Sequence, residues 1–552
     1  MSLQANPELQ TLLGVAFAQY KTDQGKINAI DSVLRALTAA ADVLKAERNA
    51  IAPIHSLPNE LLADIFYHVH SPPLTSLIIV CRRWHKIAQH TPRLYDHLEF
   101  DWIIKRERFQ RQLQLSGGVP LVVTIGRLDP SNSTRAIPQL MLNAGRLARL
   151  NIGASLSVMV ELIDNISRHD FPALFDLQLS VARIGDELDE SGSIKPIPLL
   201  PSQVLDIRIP RLRRLDLADV EPPWTAIHSL QSLKLSATPQ VSLTNPLEFN
   251  DLLQVLSACP GLTYVYLRLP IIIAAEQYSS VYLPHLEFLH IQGLPTVRSL
   301  QRFLLHVIFP ATTSLDVDCP GVSSGNDIRD ILVPVHKRLR TVDAPVARSI
   351  TFQLSEPYPG HIRPLTVSTS TEANRWKERA RAASLIFCIS TYPTTQPHTR
   401  QVLAKILNAV PTATITHLFL GNRFFSTYLS KSAWRTVLPG LPAIECVDLN
   451  AGEGSTPFCA ALAALVRASR PPFPLRKIKL SIMYRGDDEI GSIERFVDAL
   501  REMLQEFLDA DRRVAKLKIK ASLYHEVESE GVDGRIDELR GLVGSLDVKQ
   551  GW

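Results

Sequence analysis

Six histidines and one cysteine lie close together near the start of the chain, and these residue types bind transition metals. They are His55, His68, His70, His85, His90, His97 and Cys81. The four-residue spacing between Cys81 and His85 would place both side chains on one face of a helix. Their neighbours, however, are apolar residues at helical spacing, so the histidines fit the polar faces of short helices. We therefore predict no metal site, and metal binding at this cluster is the alternative.

Short motifs that carry enzyme chemistry are missing from the rest of the sequence. It has no glycine-rich phosphate-binding loop, no H-E-x-x-H pair and no C-x-x-C pair. We interpret Gly452-Glu453-Gly454-Ser455 as a turn. The prediction is a protein that is not an enzyme and needs no cofactor.

Three lysines near the end alternate with apolar residues. Lys516, Lys518 and Lys520 flank Leu517 and Ile519, so a strand would carry all three ammonium groups on one face. Such a row could contact phosphate or an acidic partner. We interpret it as a solvated strand face that discourages pairing at a sheet edge.

Composition describes an ordinary globular chain. Of 552 residues, 45% are hydrophobic, and the formal net charge is only +4. This argues against disorder, and it makes nucleic acid and anionic membranes unlikely partners. Scattered single cysteines, no leader pattern and no apolar run of membrane length predict a cytoplasmic or nuclear protein. Proline is unusually frequent, with 38 residues against 25 glycines.

The first 52 residues predict a long helix, from about residue 8 to residue 50. Its apolar residues alternate at spacings of three and four, which is typical of a coiled-coil seam. These seam residues are Ile27, Ile30, Leu34, Leu37, Ala41, Leu44 and Ile51. Two interpretations stay open: the helix packs on the next domain, or the chain self-associates through residues 27–51.

Two further helices are predicted after Pro53. In the first, Pro58 stands at an early position, where its missing N–H does no harm, and an apolar stripe follows. The second carries apolar residues at helical spacing and arginines on its polar side. Its apolar residues are Leu77, Val80, Cys81, Trp84 and Ile87.

The segments LPNELLADIF and LIIVCRRWHKIAQHTPRLYDHLEF together resemble the F-box, a motif of about 45 residues. Tyr95 is a departure, because tryptophan is commoner at its position. With the helix before it, the arrangement resembles large fungal F-box families in which a leucine-rich-repeat-like region follows. The matching positions are Leu57, Pro58, Glu60, Leu61, Ile65, Phe66, Val80, Cys81, Arg82, Trp84, Ile87, Ala88, Pro92 and Leu94.

The resemblance implies a role and a partner. In this family the F-box docks on a Skp-type linker protein, which joins it to a cullin–RING ubiquitin ligase for protein degradation. A hairpin this small cannot bury its apolar residues alone, which agrees with a partner surface. The predicted linker-binding residues are Leu57, Pro58, Glu60, Leu61, Ile65, Phe66, Leu77, Val80, Cys81, Trp84 and Ile87.

The prolines beyond residue 120 often precede the pattern P-x-L-x-x-L-x-L, as in Pro172-Leu174-Leu177-Leu179. Amphipathic helical patterns stand before several of them. A helix, a proline turn and a short x-L-x-L strand, repeated, are typical of leucine-rich repeats. The predicted strands begin at Leu215, Leu233, Val265, Leu289, Leu315, Leu418, Val447, Ile478 and Leu517.

The predicted fold class is α+β, or an αβ solenoid: an N-terminal helix and a helical F-box, then an irregular leucine-rich-repeat-like horseshoe. Residues 181–203 and 355–379 are predicted as long loops. The domain bounds are 1–52 for the helix, 53–100 for the F-box, 101–160 for a connecting segment or first solenoid units, 161–523 for the solenoid and 524–552 for a charged end.

The predicted function is substrate recognition for an SCF-type ubiquitin ligase, with the F-box on the linker and the repeats holding a protein substrate. The adaptor would act by proximity rather than by catalysis. The alternative is an interaction scaffold outside a ligase, which uses the same surfaces. No residue of the substrate surface is identified by the sequence.

Overall fold

The computed structural model describes most of the chain, and all structural statements concern the described part. Its residues are 22–69, 74–100, 106–182, 197–238, 247–273, 278–294, 296–319, 349–354, 365–370, 383–389, 412–421, 430–450, 455–468, 474–484, 490–523 and 530–551, with the short pieces 11, 14, 331, 333–335, 405–408 and 410.

Two compact units divide the chain. The first comprises Met1–Leu98 and Lys105–Val119, and the second comprises Glu99–Ile104 and Pro120–Trp552. The early elements, in chain order, are α1 Asp23–Ile51, α2 Asn59–His68, α3 Leu74–Ile78, α4 Arg82–Gln89, β1 His97–Phe100 and α5 Arg106–Leu115.

Elements beyond α5 are strands and helices. The strands are β2 Leu121–Leu128, β3 Leu147–Ala154, β4 Asp176–Val181, β5 Arg214–Ala218, β6 Ser232–Ser236, β7 Leu247–Glu248, β8 Tyr264–Arg268, β9 Ile271–Ile272, β10 Val281–Tyr282, β11 Phe288–Gln292, β12 Val307–Ile308, β13 Ser314–Cys319, β14 Ser349–Leu354, β15 Leu365–Ser370, β16 Ala383–Ile389, β17 His417–Gly421, β18 Cys446–Asn450, β19 Lys477–Tyr484, β20 Lys516–Leu523 and β21 Ser545–Gly551. The helices are α6 Pro130–Met141, α7 Leu156–Arg168, α8 Phe249–Ala258, α9 Val297–His306, α10 Lys431–Val437, α11 Thr456–Arg467, α12 Ile490–Asp509 and α13 Glu530–Glu538.

One large, mostly parallel sheet follows the helical N-terminal region. Its strands pair in the order β2-β3-β4-β5-β6-β8-β11-β13-β16 and then β14-β17-β18-β19-β20-β21, all parallel. Strand β15 joins the two series through antiparallel pairs with β16 and β14. Two-stranded parallel pairs form between β7 and β9 and between β10 and β12.

The predicted strands are confirmed, because every predicted start lies in a strand. Leu215, Leu233, Val265, Leu289 and Leu315 lie side by side in register on five neighbouring strands. A second row follows in the later strands. It comprises Leu418, Val447, Ile478 and Leu517.

Alternation along the strands separates a core face from a more exposed face. In β5 the side chains of Leu215 and Leu217 are buried, whereas Asp216 between them is partly exposed. The helices contribute their apolar stripes to the core, as Phe496 and Leu500 of α12 do. Among the described residues, no helix is both long and apolar enough to cross a membrane.

The structure corrects several sequence predictions in the second unit. Strand β15 lies inside the predicted loop 355–379, because LTVSTS pairs along both edges despite its polar residues. The charged end is also ordered in part: Leu539 and Val543 are buried, and β21 extends the sheet. Strand β20 pairs on both sides, so its lysines do not protect a sheet edge. Residues 183–196 of the other predicted loop lie outside the described part.

Candidate functional site

A small apolar core holds the helices of the first unit together. Its buried residues are Leu62, Phe66, Leu77 and Ile87, with Leu57, Ala63, Trp84 and Leu94 packed against them. The Phe66 and Trp84 rings are in tilted contact, with centroids 4.7 Å apart. This contact joins α2 to α4, so the short helices share one core.

Hydrogen bonds from Arg83 of α4 hold the segment before α2 against that helix. Its guanidinium donates hydrogen bonds to the backbone oxygens of His55 and Leu57, the latter at 2.6 Å, and to Oδ1 of Asn59 at 2.8 Å. Because the planar guanidinium presents several N–H groups in fixed directions, one side chain can hold all three acceptors. Arg83 therefore sets the entry into α2.

Cys81 interrupts the helix that the sequence predicts across 77–87. Its backbone is extended, and its sulfur accepts a hydrogen bond from the backbone N–H of Trp84 at 3.5 Å. A side chain that caps the backbone in this way starts a new helix. The predicted single helix is therefore two helices, α3 and α4, with a turn between them.

One face of α2 exposes apolar side chains. Leu61 is 50% exposed, Ile65 40% and Val69 42%. These three residues, spaced four apart, form what we call the exposed stripe, and Val69 directly follows the last residue of α2. Leu62 and Phe66, the immediate neighbours of two of them, are buried. A stripe of large apolar side chains on a small helical unit is typical of a binding surface.

Residues 54–101 match the F-box-like family model. The chain carries an F-box-like domain. No curated protein matches the chain. The match covers the core, the Arg83 contacts and the exposed stripe, and F-box domains typically bind Skp-type linker proteins.

The F-box-like domain separates the predicted linker-binding residues into two groups. Phe66, Leu77 and Ile87 are buried in its own core, while Leu57 and Trp84 are half-buried against that core. Cys81 is half-buried at the helix turn. The exposed members are Pro58, Glu60, Leu61, Ile65 and Val80.

Two further apolar side chains of the F-box-like domain are exposed but were not among the predicted linker-binding residues. Val69 completes the exposed stripe, and Ile79 is 79% exposed in the turn before Cys81. The sequence does contain a signal for an exposed apolar residue here, the run Leu77-Ile78-Ile79-Val80. Four successive apolar residues of a helix cannot all face one core.

The histidines of the F-box-like domain contact the backbone near them. His68 and His90 each place Nδ1 2.8 Å from the carbonyl oxygen four residues earlier. His55 Nε2 lies 3.8 Å from the Cys81 sulfur. Within the described residues, no group of three or more His, Cys, Asp or Glu is placed to hold a metal ion. His70 lies outside that part.

Tyr95, the residue that departs from the family pattern, is buried in the F-box-like domain. Burial raises the pKa of its hydroxyl, and the nearby Arg111 partly offsets this rise. The phenol therefore stays protonated at neutral pH and packs as a neutral ring.

Most of the predicted coiled-coil seam on α1 is exposed, although Ile30 is half-buried. Leu34, Leu37, Leu44 and Ile51 all expose large parts of their side chains. An ion pair between Asp42 of α1 and Arg82 of α4, at 3.0 Å, connects the helix to the F-box-like domain. The part of the predicted helix before residue 22 lies outside the described residues.

Replacing Arg83 should destabilise the F-box-like domain. Arg83→Ala leaves two backbone oxygens and Asn59 without their donor, so we expect the free energy of unfolding to fall by about 1–3 kcal/mol in urea denaturation. Arg83→Lys should recover only part of this loss, because an ammonium lacks the planar fork. The matched control is Arg82→Ala, which removes an exposed ion pair and should cost at most about 1 kcal/mol. Equal losses for Arg82→Ala and Arg83→Ala would contradict this role of Arg83.

Proposed function

We propose that this protein is the substrate-recognition adaptor of an SCF-type ubiquitin ligase. The observation that supports the proposal most is the exposed stripe on an F-box-like domain. In the proposal, Leu61 and Ile65 dock on a Skp-type linker together with Pro58, Glu60 and Val80. The buried members of the predicted set, among them Phe66, hold the docking surface in shape.

The α/β unit would be the substrate-binding part, as an irregular leucine-rich-repeat-like solenoid. Two features support this: most strands pair in chain order, and leucines recur in register from strand to strand. In a solenoid each unit contacts its neighbours, and the exposed face of its strands is free for a partner. In this proposal the α/β unit is an irregular horseshoe, and the chain is a relative of the fungal F-box families that its sequence resembles.

Ubiquitin transfer would occur on a separately bound conjugating enzyme. F-box proteins are generally non-catalytic subunits, and the adaptor would raise the effective concentration of substrate lysines near that enzyme. Skp-type linkers and cullin–RING ligases act in the cytoplasm and the nucleus. We therefore propose that the protein lies in the cytoplasm, the nucleus or both.

The experiment that tests the proposal is co-purification of the full chain with a Skp-type linker. The wild type is compared with a variant that carries acidic residues at Leu61 and Ile65. Wild-type protein that does not bind the linker would refute the docking step.

An interaction scaffold outside a ligase is the second candidate, and the exposed seam of α1 favours it. Seam residues seven apart, such as Leu37 and Leu44, are both exposed. A second copy of the same helix would cover them by knobs-into-holes packing. The F-box-like domain would then be one structural module of a dimer.

Self-association should depend on the seam. In light scattering coupled to size-exclusion chromatography, we expect a dimer for the wild type and a monomer for Leu37→Glu/Leu44→Glu, because two buried charges oppose the helix pair. Val43→Glu is the matched control: Val43 is exposed but lies off the seam, so this variant should stay dimeric. A monomeric wild type would reject dimerisation through α1.

A further inference from the structure

Six lysines share one face of the last three strands, which we call the lysine face. Lys516 and Lys518 of β20 are half-buried, whereas Lys520 is exposed. The residues between them, Leu517 and Ile519, are buried in the core. The lysines therefore point away from the core. The lysine face consists of Lys477, Lys479, Lys516, Lys518, Lys520 and Lys549.

The lysines stand directly opposite one another across neighbouring strands. Lys477 is in register with Lys516, Lys479 with Lys518, and Lys520 with Lys549. Neighbouring strands lie about 4.8 Å apart, and like charges directly opposite each other destabilise a sheet. The lysine face therefore costs the fold stability.

Elsewhere in the same sheet, the charged residues that stand opposite one another on neighbouring strands have opposite signs. On β5 and β6, Asp216 stands in register with Lys234 and accepts a hydrogen bond from it at 2.8 Å. On β3, β4 and β5, Asp176 lies between Arg149 and Arg214, 3.8 Å from each. Opposite charges alternate there, whereas β19 and β20 place lysine against lysine.

Among the described residues, acidic groups near the lysine face neutralise part of it. Lys518 pairs with Asp547 at 3.5 Å, and Asp448 of β18 lies close enough to Lys479 and Lys477 to be influenced by both. Burial raises the pKa of Asp448, and the two lysines oppose this shift. Burial, and then the same lysines, lower the pKa of His417, so its ring is neutral at neutral pH.

Edge protection does not explain the lysines of β19 and β20, because both strands are paired on both sides. A bound anionic partner would explain them, since it would remove the repulsion that the free fold carries. Alternate residues along a strand lie about 6.6 Å apart, and an extended peptide repeats its side chains at the same distance. Carboxylates at every second position would match Lys516, Lys518 and Lys520.

We propose that the lysine face binds an extended acidic peptide segment of a protein partner, with Asp or Glu at alternate positions. Single-stranded nucleic acid is the less favoured class, because its binding sites combine cations with aromatic stacking platforms. The described side chains of β20 and β21 include no aromatic ring, and on the other side His417 and Phe419 lie on β17, two strands from β19, where Phe419 is buried. This proposal specifies what the substrate-binding part of the proposed function binds. Only the statement that the peptide belongs to a substrate rests on that function.

Fluorescence anisotropy with the full chain tests this. The probe is a short labelled peptide with glutamate at every second position, and the matched probe has glutamine instead. We expect saturable binding of the glutamate peptide that weakens as salt rises. Lys516→Gln/Lys520→Gln should weaken it about fivefold, since two ion pairs are lost and each contributes up to a few-fold. The midpoint of thermal unfolding of this double variant should stay equal to that of the wild type or rise, because repulsion between the lysines is relieved.

Controls separate this proposal from the others. Lys431→Gln removes an exposed lysine of α10 and should leave peptide binding unchanged. Leu61→Glu/Ile65→Glu should also bind the peptide normally, so a failure of linker docking is distinguished from a failure of the lysine face. Equal binding of both peptides, or no effect of the double lysine variant, would overturn the proposal. So would tighter binding of a single-stranded oligonucleotide at the same lysines.

Discussion

Leu61→Glu/Ile65→Glu should abolish co-purification of the chain with a Skp-type linker. Each apolar side chain buried at an interface contributes about 1.5–3 kcal/mol, so losing both would weaken binding by two to four orders of magnitude. Both residues are half-exposed on α2, and glutamate suits a helix, so the free energy of unfolding should change by at most about 0.5 kcal/mol per site. Urea denaturation measures the second quantity.

The control for this double variant uses exposed apolar residues outside the F-box-like domain. Leu142 and Val160 are at least as exposed as Leu61, so Leu142→Glu/Val160→Glu adds the same charges elsewhere and should keep linker binding. Phe66→Ala is the opposite control, because it removes a core ring and should lower stability and binding together. Intact linker binding by Leu61→Glu/Ile65→Glu would show that the exposed stripe is not the docking surface.

Trp434→Ala should destabilise the α/β unit by about 3–5 kcal/mol. Trp434 of α10 is fully buried, and its ring meets Phe458 of α11 edge-on, with centroids 5.2 Å apart. Removing the indole leaves a cavity between two helices that cannot close without moving the backbone. The measurement is the free energy of unfolding in urea, followed by a probe of the α/β unit. Trp434→Phe should lose clearly less, because it keeps a ring against Phe458. A loss below about 1 kcal/mol for the alanine variant would contradict this packing.

Strand positions were predictable because burial imposes a simple rule on short parallel strands. Where two leucines alternate after a proline, as at Leu215 and Leu217, only the strand puts both in the core. Strand β15 was not predictable, because its LTVSTS is polar and its place in the sheet depends on pairing with β14 and β16, which the segment itself does not reveal. The charged end was misjudged because the many charges of 524–552 obscure the few buried residues there.

Which face of α2 meets solvent could not be predicted from the sequence. Leu61 and Leu62, and likewise Ile65 and Phe66, are adjacent apolar pairs, so the helix is apolar on more than one side. The choice depends on Trp84, which packs on Phe66 from a different helix. Periodicity shows that a helix has an apolar face, but it does not show which of two such faces a tertiary contact will cover.

The strands β14, β15 and β16 have a consequence for how the chain assembles. Strand β13 pairs with β16, the last of the three, while β17 pairs with β14, the first. Three strands are therefore inserted in reverse order into a sheet that otherwise grows in the order of synthesis. As the chain leaves the ribosome, β14 and β15 can pair with each other, but they join the earlier strands only after β16 has been made and has paired with β13. Among the described strands, β17 to β21 therefore connect to the earlier strands only through β14, β15 and β16, so the last of these three strands completes the joint between the two series.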